Sequence, residues 1–226
     1  SDEEIVSLYA SAITSNTKLI LVSHMINITG QILPIRKICD MAHAKGVEVM
    51  VDGAHAFAHI DFKISDLHCD YYGTSLHKWL GCPLGAGFLY VSKDKIEKLW
   101  PIFGDMSFAD NDIRKLNHTG THPVHTDISI KNAIDFHQKI GIERKEARMR
   151  FLQNYWTDKL RNYKNIVVNT PDEKTRSCGI ANVGITNIAP GDLAKILLKP
   201  RFGIRMWRGI WPPSNPLIET PERLVW

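Results

Sequence analysis

The chain is short of several things. Its four cysteines, Cys39, Cys69, Cys82 and Cys178, include no CxxC pair and form no dense framework. The expectation is reduced thiols in a cytoplasmic setting, with no disulfide scaffold and no assigned metal site. No apolar run approaches the roughly 20 residues that a membrane-spanning helix needs, so no membrane partner is expected. The opening SDEEIVSLYASAI has neither the basic nor the apolar region of a secretory signal. Charge of one sign is not concentrated anywhere: 28 Lys and Arg face 24 Asp and Glu, a net +4 spread along the sequence. That weighs against nucleic acid as a partner. Internal repeats and low-complexity stretches are also missing.

What is present suits a folded α/β protein. A hydrophobic content of 44% in 226 residues can bury a core, and the length allows one or two domains. Asp2 to Ala12 carries Ile5, Leu8 and Ala12 at helical spacing, and KLILVS (Lys18 to Ser23) reads as a buried strand. Pro34 opens a helix running to about Lys45, which Gly46 closes, and Val47 to Val51 is the next strand. Strand, helix, strand in that order predicts a parallel pair. Further strands are predicted from Cys69 to Thr74 and from Pro83 to Val91, then a helix from Lys93 to Leu99 that Pro101 ends. Phe103 to Thr126 reads as a long functional loop. Asp127 is the expected N-cap of a helix through about Lys139. Gly141 breaks it before a longer helix from Ile142 to Tyr163, whose basic residues form a solvated face. Ile166 to Asn169 and Gly179 to Ile185 read as strands, and Gly191 to Leu198 as a helix begun by Pro190.

The stretch Val51 to Val91, VDGAHAFAHIDFKISDLHCDYYGTSLHKWLGCPLGAGFLYV, concentrates the chemistry. One strand delivers Asp52 at its end and another delivers Ser75, His77 and Lys78 at its own. Ligands of open α/β sheets bind beyond that carboxyl rim. A lysine beside Trp-Leu-Gly is expected against apolar surface, where an amine sheds its proton more readily and becomes a nucleophile able to form an imine. Small residues at Gly53 and Ala54 would let the backbone approach a flat ligand. Taken singly, a strand-end Asp is usually a cap, a lysine is usually just solvated, and His55 and His77 can be structural.

Jointly, VDGAHA (Val51 to Ala56), CDYYGTSLHKWLGCPLGAGFLYV (Cys69 to Val91) and SHMINITGQILPI (Ser23 to Ile35) resemble the class V aminotransferases, a fold-type I family that includes cysteine desulfurases and isopenicillin N epimerase-like proteins. The resemblance runs to about Arg150. It implies pyridoxal 5'-phosphate as cofactor, Lys78 as the imine lysine and Asp52 as partner of the pyridinium nitrogen. It also puts His55 near the ring hydroxyl and Ser75 and His77 at the phosphate. Gly120 and Thr121, in HTGTHP, would reach the cofactor phosphate of a second subunit, so a homodimer is implied. The implied fold is a partial large domain with a mostly parallel sheet (1–140), then a bridging helix and small α+β C-terminal domain (141–226). The family's phosphate-binding helix and ring-stacking aromatic would lie upstream of Ser1, which makes the chain a fragment lacking the N-terminal part.

The resemblance leaves the reaction open among transamination, epimerisation and lyase chemistry on an amino acid, and a non-catalytic binding subunit on the same fold. The segment around Leu76 and Trp79 is closer to the epimerase-like branch. Cys178, in RSCGIANVGI at a strand entrance, reads as a buried inert thiol rather than a desulfurase nucleophile. His24 is equally a ring contact or a loop support. The tail departs from the family: Arg205 or Arg208 is the candidate for a substrate-carboxylate arginine, while Pro212, Pro213 and Pro216 oppose strand pairing.

Overall fold

A computed structural model describes residues 1–101, 103, 107–117, 120–121 and 123–197. The chain starts with helix α1 (Asp2–Ala12), where the Ser1 hydroxyl accepts from the Glu4 N–H at 3.2 Å. There follow β1 (Leu19–Ser23), α2 (Ile35–His43), β2 (Glu48–Asp52), a single turn α3 (Ile64–Leu67), β3 (Tyr71–Ser75) and β4 (Gly87–Val91). The sheet order is β1-β2-β3-β4: β1, β2 and β3 are parallel, and β4 is antiparallel to β3. The mostly parallel α/β sheet expected from the sequence is therefore observed, with its antiparallel fourth strand.

Helix α2 shows why these residues fold this way. Ile35, Ile38, Cys39 and Ala42 recur at i, i+3, i+4 and i+7, a single helical stripe. All four are buried, against Val22, Val49 and Val51 of the sheet and Tyr72 of β3. Each aliphatic side chain so buried contributes roughly 1.5–3 kcal/mol, so this face fixes the helix on the sheet. Gly46, at φ 71, takes the left-handed turn that ends the helix and admits β2.

Beyond the sheet run α4 (Val124–Ile140), α5 (Ile142–Leu160), β5 (Ile166–Val168), β6 (Val183–Ile185) and α6 (Pro190–Leu197), with β5 and β6 an antiparallel pair. No described helix is long and apolar enough to cross a membrane.

Three local expectations need correction. The segment after β4 is only a 3-10 turn, Lys93–Lys95. Ion pairs tie Lys95 to Glu48 and Asp70, Ile96 turns into the apolar cluster of Tyr71 and Val91, and Pro101 lies too near for a helix to propagate. Helix α4 starts at Val124, with Pro123 at the cap position and Asp127 inside the first turn, where it complements the helix dipole instead of capping. The strand before α6 is confined to Val183–Ile185, because Ser177 bridges to Gln31 and Cys178 packs among Met25, Ala56 and Ile60. Arg205, Arg208 and the proline-rich tail lie outside the described residues, as do His118, Thr119 and His122.

Candidate active site

Because β2 and β3 are neighbours and parallel, Asp52 at the end of one comes level with Gly73 near the end of the other. Both carboxyl ends open on one rim. The turn after β2 brings back His55, and the turn after β3 brings Lys78. The Lys78 Nζ lies 3.0 Å from His55 Nε2. Trp79 Nε1 donates to His55 Nδ1 at 3.3 Å, so the imidazole sits between the amine and the indole. Asp52 is exposed, and its carboxylate accepts from the Ala54 N–H at 2.9 Å. Burial first and the Lys78 charge second push His55 down to about 4, with Asp52 pulling the other way. At neutral pH the ring is uncharged.

The backbone carrying Lys78 is fixed from both sides. Ser75 pairs with Gly87 across the β3–β4 hairpin, Leu76 N–H donates to the Ala86 carbonyl at 2.9 Å, and Cys82 N–H donates to the Leu76 carbonyl at 3.1 Å. Leu76, Leu80, Cys82 and Ala86 form a small apolar cluster beneath the turn. Lys78 itself is exposed. That corrects the expectation of an amine pressed on apolar surface: its neighbour is an imidazole. Gly53 also differs from expectation. A Cβ there would sit 2.0 Å from the Tyr72 ring, so the close approach it permits is to the protein's own phenol.

The structure brings Lys78 and His55 into contact and sets Asp52 on the same rim. Ser75 and His77 are half-buried in the hairpin turn that carries the lysine. Thr121 is exposed in the segment before α4, next to Gly120 at φ 65, and is not hydrogen-bonded to the other candidates. His24 is buried at 4% exposure, with Nδ1 3.2 Å from the Tyr72 hydroxyl and its ring edge-on to Phe62. It supports the loop.

His59 was not foreseen. It is fully buried, its Nδ1 donates to the His55 carbonyl at 2.8 Å, and its ring stacks on Trp79 at 3.7 Å. Its position four residues after His55 is the only signal the sequence offers, and that spacing is common in structural histidines.

An amine, an imidazole and a carboxylate at the ends of adjacent parallel strands define a rim suited to a carbonyl or aromatic ligand. The aminotransferase class-V family model matches residues 3–210, and the chain belongs to that family. The match extends well past Arg150, where the sequence resemblance was expected to fade. Isopenicillin N epimerase from Streptomyces clavuligerus is 31% identical over 193 residues, which are 78% of this chain and 48% of that protein. A probable cysteine desulfurase from Halalkalibacterium halodurans is 30% identical over 202 residues, 85% of this chain and 49% of that protein. The fold is shared with C-DES, solved with glycine covalently linked to its PLP cofactor: TM-score 0.74 and 20% identity, covering 85% of this chain and 54% of that one. The chain spans about half the length of the curated relatives it matches.

Proposed function

We propose that the protein carrying this chain is a pyridoxal 5'-phosphate enzyme that acts at the α-carbon of an amino acid, as an aminotransferase or epimerase. The observation that carries this reading is the Lys78 amine 3.0 Å from His55 on the rim that Asp52 shares. The donor set fits the cofactor: an amine for its aldehyde, a carboxylate for its ring nitrogen, an imidazole for its ring oxygen. When bound, the cofactor supplies an electron sink for the carbon that loses its proton. The remaining work falls to this chain. Asp52 holds the positive charge of the ring nitrogen. His55 orients the ring through Nε2, and Lys78 Nζ, once released, takes the α-proton and returns it. Ser75 and His77 are assigned to the phosphate, with Thr121 reaching across a homodimer to the second subunit's site. We further assign 1–140 to a cofactor-binding domain and 141–226 to a bridging helix and smaller domain.

Cysteine desulfuration is the second reading, and none of this chain's own cysteines is placed to accept the sulfur it transfers. All four are free and buried. Burial pushes the Cys178 thiol up, and its Sγ contacts the Glu146 carbonyl at 3.8 Å, whereas a sulfur-accepting nucleophile must be an exposed thiolate. Free thiols also fit the cytoplasmic setting proposed for the protein.

The test is borohydride reduction of the full-length protein with pyridoxal phosphate, followed by peptide mass mapping. The expected result is a pyridoxyl group on Lys78 and none in Lys78→Ala. Label on a different lysine, or no label at all, sinks the enzyme reading and favours a non-catalytic binding subunit. Assays against an amino-acid panel for keto-acid formation, inversion and sulfide release then separate the reactions.

A further inference from the structure

We infer that Trp79 is a positioning residue: its indole N–H holds His55 in the tautomer that carries its hydrogen on Nε2, aimed at Lys78. The inference rests on the proposed reading that His55 and Lys78 face the cofactor. An indole nitrogen only donates. At 3.3 Å from His55 Nδ1, it requires that atom to present its lone pair. A neutral imidazole has one N–H, and His55 is neutral at physiological pH because burial and the Lys78 charge hold it near 4. The hydrogen therefore resides on Nε2.

The indole is not free to turn away. Its face stacks on His59 at 3.7 Å with 28° between the planes. The Trp79 carbonyl receives the Lys145 ammonium from α5, and His59 is itself tied to the His55 carbonyl at 2.8 Å. Trp79, His55 and His59 thus form a closed clamp. Asp52 acts on the same ring only through its charge.

The consequence lies at Nε2, 3.0 Å from Lys78 Nζ. With its hydrogen there, Nε2 is a donor on the side of the ring that faces the rim. The same Nε2–H serves an anionic ring oxygen once a cofactor occupies the rim.

Histidine-selective ¹⁵N labelling of the full-length protein, with and without added pyridoxal phosphate, reads the tautomer directly. The His55 signal is assigned by its loss in His55→Gln. The expected result is an unprotonated Nδ1 and a protonated Nε2 in the unmodified protein, and a loss of that preference in Trp79→Phe, which keeps a ring against His59 but has no donor. A protonated Nδ1 in the unmodified protein overturns the inference, and this measurement needs no variant to fold. An unchanged tautomer in Trp79→Phe overturns it equally. The expected tautomer in a protein that takes up no cofactor supports the inference while removing the cofactor reading.

Discussion

The two ends of the same sheet are built on opposite rules. At the amino ends of β2 and β3, every charge is matched. Asp70, buried, accepts from the Val49 N–H and from His43 Nε2, both at 2.8 Å, with Lys95 at 3.4 Å. Glu48 takes the Tyr71 hydroxyl at 2.9 Å, Lys95 at 3.3 Å and the Lys98 ammonium. At the carboxyl ends, four residues further along β2, Asp52 is exposed with a single backbone donor from Ala54, and His55 is set between the Lys78 amine and the Trp79 indole. Removing any one partner at the paired end would leave a buried charge uncompensated. The end with spare hydrogen-bonding capacity is the one available to a ligand.

Lys78→Ala tests the contrast most severely. Activity and cofactor attachment should fall on the order of a thousandfold or more, as expected when a nucleophile is deleted. Stability, read by urea midpoint, should stay within about 0.5 kcal/mol because the side chain is exposed. A large stability loss would show that this rim is structural after all. Asp70→Ala should do the reverse. Unpairing the Val49 N–H and His43 Nε2 and removing a partner of Lys95 costs about 2–3 kcal/mol, while any cofactor bound at the far rim should keep its spectrum.

Acid sharpens the comparison further. His24, His55 and His59 are each pushed from 6.5 down to about 4, chiefly by burial. The unfolded chain therefore binds protons that the folded one refuses. This share of stability is complete above pH 6.5 and drains as the pH falls toward 4. Between pH 7 and 5 the loss is about 2 kcal/mol for each of His24 and His59 and less for the half-buried His55. Denaturant melts at the two pH values check it, and a flat profile refutes the buried-neutral assignment. The smallest effect belongs to Cys178→Ala: about 1 kcal/mol of stability from a small cavity, with α-carbon chemistry unchanged. Loss of sulfide release in that variant would instead make the thiol catalytic.

Much of this was legible in the residues, and the rest failed for identifiable reasons. The Pro34 and Gly46 boundaries of α2 and the strand, helix, strand order announced the parallel sheet, because a crossover helix between neighbouring strands requires it. The placement of Asp52 and Lys78 on one rim was legible because parallel neighbouring strands present their carboxyl ends together. The extent of the turn at Lys93–Lys95 was not, since ion pairs to Glu48 and Asp70, distant in sequence, override local propensity. Gly53 was read as room for a ligand when its neighbour is Tyr72, a contact made only once β2 and β3 pair. His59 was missed because its value lies in a stacking partner, Trp79, that the chain reaches through a hairpin. The exposure of Lys78 escaped notice because adjacency to Trp79 and Leu80 in sequence says nothing of which side each takes in a turn.

The bolted hairpin under Lys78 limits how that residue can operate. With Ser75 locked to Gly87, Leu76 to Ala86 and Cys82 to Leu76, the main chain there has no slack. All travel between one bonding partner and the next must come from rotation about the four methylenes of the lysine arm, a crane on a fixed mast.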